Sequence, residues 1–131
     1  VVAAFGIVAG LPRHAAWAWL AAWPLTHAAL AIQPQLQHYG GLSGVLHAGV
    51  AIAALHLALQ PPGRDRLIGW AVLVGLAAKL VLEHAWLATP QTVPGWDIRI
   101  APLAHLTGTV AGLLCGVVAR WVAGHRRPVD S

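Results

Sequence analysis

One serine stands between glycines where a polar turn passes into an apolar run, Tyr39-Gly40-Gly41-Leu42-Ser43-Gly44-Val45-Leu46-His47. Gly41 and Gly44 leave its hydroxyl room, and a helix start places partial positive charge beside it. Those conditions suit a nucleophile whose attack on a carbonyl creates an oxyanion. They also suit an ordinary helix N-cap, for which serine is a preferred residue. A second string, Ala104-His105-Leu106-Thr107-Gly108, holds a candidate base. Below His105 the pattern continues as Gly108-x-x-x-Gly112-x-x-x-Gly116. At about 100° per residue these four positions share one helix face. Small residues at that spacing let another helix pack almost backbone to backbone, and the serine helix presents Gly44, Ala48 and Ala51 to meet them. Such an approach is what a Ser43–His105 hydrogen bond of about 3 Å requires. The plain alternative is a tight helix crossing with no chemistry. His47, one turn below Ser43, is a rival base, or else a residue lining the site.

The elements that must position this pair are apolar. The chain has 131 residues, of which 58% are hydrophobic and 9% charged, against about 25% charged in a soluble domain. Mean hydropathy is +0.68. The expected fold is all-α: one domain over residues 1–131, a polytopic membrane helix bundle with full spans at 14–32, 42–59, 67–88 and 101–123. Residues 1–12 are apolar, but as a helix they cover about 18 Å of a hydrocarbon core roughly 30 Å thick. They read as the end of a span whose start precedes Val1, so the sequence is expected to be truncated at its N-terminus. Pro24 is expected to kink the first full span. Gln60-Pro61-Pro62-Gly63 and the stretch from Thr89 to Ile100 punctuate the others.

The net charge of +4 is a topology signal rather than a nucleic-acid one. Arg13, Arg64, Arg66, Arg120, Arg126 and Arg127 fall on one side of an alternating bundle, and Arg99 on the other. The positive-inside rule makes the six-arginine side cytoplasmic. Ser43, near the start of its helix, and His105, about four residues into its own, then lie at similar depth near the extracytoplasmic face. Cys115 is the single cysteine, so there is neither an intrachain disulfide framework nor a cysteine metal motif.

Gly41-x-Ser43-Gly44, followed two helices later by Ala104-His105-Leu106-x-Gly108-x-x-x-Gly112, resembles the rhomboid intramembrane serine proteases. The fuller string from Tyr39 to His47 is similar to the rhombosortase subfamily, as are Lys79-x-x-x-Glu83 and the Ala-His-Leu start of the last helix; the resemblance covers roughly residues 33–119. It implies a Ser43–His105 dyad without an acid and without a cofactor, with Gly41, Gly44 and His47 supporting the oxyanion site. The implied activity is endopeptidase cleavage, in a bacterial inner membrane, of membrane-anchored proteins bearing a C-terminal sorting tag of the GlyGly-CTERM type. Rhomboids usually carry a His and an Asn on an earlier helix at the oxyanion site. This sequence has no Asn, and residues 1–12 have no His.

Lys79 and Glu83 lie one turn apart on the third full span and read as an ion pair, with Glu83 also able to orient His105. His38, His84 and His105 share the outer face, but no metal-ligand spacing supports a site. His47 and His56 are nine residues apart, on opposite helix faces, and cannot share a haem. A competing reading is a catalytically inactive relative that binds transmembrane segments.

Overall fold

The computed structural model describes residues 2–31, 42–87, 91–92, 99–100 and 102–125. Five helices carry the fold: α1 (Val2–Val8), α2 (Arg13–Ala31), α3 (Ser43–Ala58), α4 (Arg64–Leu82) and α5 (Pro102–His125). Between α4 and α5, within a stretch expected to be loop, β1 (Gln91–Thr92) and β2 (Arg99–Ile100) pair antiparallel, with Gln91 opposite Ile100 and Thr92 opposite Arg99. Helix α3 is the centre. It packs against α2, α4, α5 and α1, and α2 and α5 also pack on each other, whereas α4 barely touches α5. The buried positions of α3 are mostly alanine and glycine, including Gly44, Ala48, Gly49, Ala51, Ala53 and Ala54. Small residues on every side explain how one helix can have four neighbours.

The expected four-span membrane bundle is corrected here. Among the described helices, one, α5, is both long and apolar enough to cross a membrane. Helix α3 is apolar but has 16 residues, about 24 Å against a core of roughly 30 Å. Helix α4 opens on Arg64-Asp65-Arg66 and keeps Lys79, and each such charge is costly in hydrocarbon. Helix α2 carries Arg13, His14, Thr26 and His27 among alanines, which contribute little hydropathy. Pro24 lies inside α2, where its missing N–H and its ring disturb the ladder.

Helices α1 and α4 end in the same way. After α1, the Gly10 N–H reaches the Ile7 carbonyl and the Leu11 N–H the Gly6 carbonyl. After α4, the His84 N–H reaches the Val81 carbonyl and the Ala85 N–H the Leu80 carbonyl. Both are Schellman closures, which need a left-handed residue at the first position beyond the cap. Gly10 fills it in one (φ 62°) and His84 in the other (φ 49°). Helix α4 therefore stops at Leu82, and Glu83 is its C-cap rather than a residue inside a span. The left-handed conformation costs a side-chain-bearing residue about 1–2 kcal/mol. His84→Gly is expected to stabilise the fold by about 0.5–1 kcal/mol, and His84→Val to destabilise it by about 1–2 kcal/mol. Thermal melts of the two variants check this; a glycine variant that melts below the valine variant would contradict the assignment.

Candidate active site

Helices α3 and α5 meet backbone to backbone. A Cβ placed on Gly44 would lie 2.5 Å from the Ala104 carbonyl oxygen, and one on Gly112 would lie 2.5 Å from that of Ala48. A Cβ on Gly108 would lie only 1.9 Å from the Gly44 carbonyl oxygen. Ser43 directly precedes Gly44, and His105 directly follows Ala104, so the pair flanks the closest point of the crossing. Gly116, expected in the same stripe, meets side chains instead, with Leu55 Cδ2 at 3.1 Å. The two backbones have begun to separate by that turn. From α2, Thr26 lies against Gly44 through its methyl group, and the Trp19 indole N–H donates to the Val45 carbonyl at 2.7 Å. These contacts hold the first turn of α3 from a third side.

Ser43 is the first residue of α3, and Leu42 holds the N-cap position with no side-chain cap bond. The serine is therefore not the cap residue that its type alone would suggest. Its amide and that of Gly44 belong to the positively polarised first turn. Gly41 lies outside the described residues.

His105 is only 6% exposed. Its Nδ1–H donates to Glu83 Oε2 at 2.7 Å, while Glu83 Oε1 pairs with Lys79. A neutral imidazole with its proton on Nδ1 keeps the lone pair on Nε2, the form a general base needs. Burial acts against ionisation of Glu83, but the hydrogen bonds from Lys79 and His105 outweigh it and hold the carboxyl below its ordinary value. The cluster thus contains a carboxylate. His47 stacks on His105 with ring centroids 4.1 Å apart and planes 13° apart. Its Nδ1–H donates to the Ser43 carbonyl at 2.7 Å. A carbonyl only accepts, so the His47 nitrogen turned toward Ser43 is a donor and not a base.

The stacked histidines and the Trp19 and Thr26 contacts were not read from the sequence. They join residues 58, 26 and 18 apart on different helices, and no local spacing announces them. The glycine stripe was the one usable signal, because it names the helix face on which they converge.

Two apolar grooves flank the pair. One, of about 400 Å³, is lined by Trp19, Leu20, Trp23, Leu42, Val45 and Leu46 between α2 and α3. The other, of about 320 Å³, is lined by Leu46, His47, Val72, Leu76 and Lys79 between α3 and α4. A further cavity of about 520 Å³ lies farther down α3 around Gly49, Ile52 and Leu11; its lining has no nucleophile or base. Among the described residues, no three His, Cys, Asp or Glu side chains gather to hold a metal ion.

The chain matches no family model, no curated protein and no solved structure.

Proposed function

We propose that this chain is a membrane-associated serine endopeptidase in which Ser43 is the nucleophile and His105 the base. The observation that carries the reading is the contact of Gly44 with Ala104 and Gly108, which brings the two residues to either side of one crossing. The resemblance of the Tyr39–His47 string to rhombosortases is consistent with it. Ser43 Oγ attacks the scissile carbonyl carbon while His105 Nε2 takes its proton. The first-turn amides of α3 stabilise the oxyanion. His105 returns the proton to the leaving amine, the C–N bond breaks, and water then hydrolyses the acyl-serine by the same route.

The proposed substrates are membrane-anchored proteins with a C-terminal tag of the GlyGly-CTERM type. An apolar segment of the tag would lie in the groove between α2 and α3, which opens beside Ser43 at Leu42. Helix α5 is the part of the chain suited to crossing the bilayer. Beyond its buried half it exposes Val110, Leu114, Val117, Val118 and Trp121, a face that needs an apolar neighbour. Arg120 in its last turns, and in the sequence Arg126 and Arg127 that follow, favour the cytoplasm. The Pro102 end, with the dyad about one turn in, then faces outward from a bacterial inner membrane.

A fluorophosphonate probe tests the proposal. Purified protein in detergent is expected to form a covalent adduct that mass spectrometry maps to the peptide containing Ser43. A folded protein that never labels, yet co-purifies with intact tagged substrate, would favour the inactive binding reading instead.

A further inference from the structure

We infer that Glu83 is a positioning residue for His105, so that the site works as a Ser43–His105–Glu83 relay with the carboxylate clamped by Lys79. The inference rests on the reading of Ser43 and His105 as nucleophile and base, and it departs from the acid-free dyad that the family resemblance implies. Three observations carry it. The Glu83 carboxylate is divided, with Oε2 on His105 Nδ1 at 2.7 Å and Oε1 on Lys79. The residue sits at the C-cap of α4, where the closure at His84 turns the chain and fixes the direction in which Glu83 leaves the helix. Helix α4 otherwise barely meets α5, so this bond is the principal tie between α4 and the base.

The chemistry follows from the proton count. With Nδ1–H donated to Glu83, Nε2 carries the lone pair and can take the Ser43 proton. The imidazolium that forms is then stabilised by the carboxylate, which keeps its charge throughout. Without Glu83 the ring is free to adopt the other tautomer, with Nε2 protonated and unable to act as base. Among the described residues, the charged and titratable groups facing His105 are Glu83 and Lys79 from α4 and its cap, and His47 stacked from α3. His47 holds its own Nδ1–H on the Ser43 carbonyl, so it presents no negative charge that could substitute for Glu83. Lys79 is the only one of these groups that competes for the carboxylate. By holding one oxygen it leaves the other in a fixed place for His105.

The test uses the full chain in detergent, read by fluorophosphonate labelling and by ¹⁵N NMR of histidine-labelled protein. In the wild type, His105 is expected to carry its proton on Nδ1. Glu83→Gln is expected to slow labelling on the order of 10²-fold or more, because an amide can hydrogen-bond either tautomer. Glu83→Asp should recover part of the rate, and its melting curve guards against a mere folding defect. Labelling of Glu83→Gln at the wild-type rate would overturn the inference. So would a wild-type His105 protonated on Nε2. If the wild type shows the Nδ1–H form, lost in Glu83→Ala, but never labels, the positioning role stands and the protease reading fails.

Discussion

Ser43→Ala is expected to abolish fluorophosphonate labelling, and His105→Ala to slow it on the order of 10⁴-fold or more. The two losses have different origins. Alanine at 43 removes the only oxygen that can form the adduct, and it deletes one atom from a half-buried position at the first turn of α3. Its effect on stability should stay within about 1 kcal/mol. Alanine at 105 leaves the serine in place but removes its proton acceptor, so attack must proceed from an unassisted hydroxyl. It also empties a buried site, unstacks His47 and removes the His105 partner of Glu83, whose pair with Lys79 remains. A cost of about 1–3 kcal/mol is expected, so labelling rates must be compared well below the melting temperature of each variant. His47→Ala is the control. It loses a ring contact and a bond to the Ser43 carbonyl, and it should keep most of the rate. Labelling that survives His105→Ala but not His47→Ala would place the base on the serine's own helix and refute the assignment.

Gly108→Val should be the most damaging substitution outside the chemical groups. Its Cβ would lie 1.9 Å from the Gly44 carbonyl oxygen, so α3 and α5 must part. Separation exposes the buried faces of both helices and pulls Ser43 away from His105. A loss of about 3 kcal/mol or more is expected, large against the roughly 5–15 kcal/mol that holds a domain together. Gly116→Ala provides the contrast. Its nearest neighbour is the end of the flexible Leu55 side chain, and the change should stay within about 1 kcal/mol. Thermal unfolding in detergent, with labelling as a second readout, separates the two cases. A valine variant that melts and labels like the wild type would mean that the helices do not cross at Gly108.

The contrast between these glycines shows what could be read in the chain and what could not. Gly108, Gly112 and Gly44 were legible as one crossing because a 3.6-residue period puts small residues on one face, and a face of small residues is built for close approach. Gly116 obeys the same period but lies past the point where the helices begin to diverge, and divergence is a property of two axes that one periodicity does not contain. The loops at Pro61-Pro62-Gly63 were legible from their breakers. The end of α4 was not, because a histidine in the left-handed region carries no signature comparable to that of Gly10. That unread cap placed Glu83 inside a span rather than at a turn, and it left the contact with His105 as one alternative among others. The number of spans differs from the expected four for a related reason. Apolar composition alone does not separate membrane depth from the mutual packing of alanine-rich helices, which uses the same residues in helices too short, too charged or too weakly apolar to cross.

The crossing also limits how this chain can change by descent. When an oversized side chain collides with another side chain, a second substitution can trim the partner and restore the fit. At Gly108 the obstacle is the carbonyl oxygen of Gly44, an atom every amino acid carries. No codon at position 44 can remove it. A lineage that loses this glycine has no local suppressor available, and its return to function must come by reversion or by rebuilding the whole helix pair.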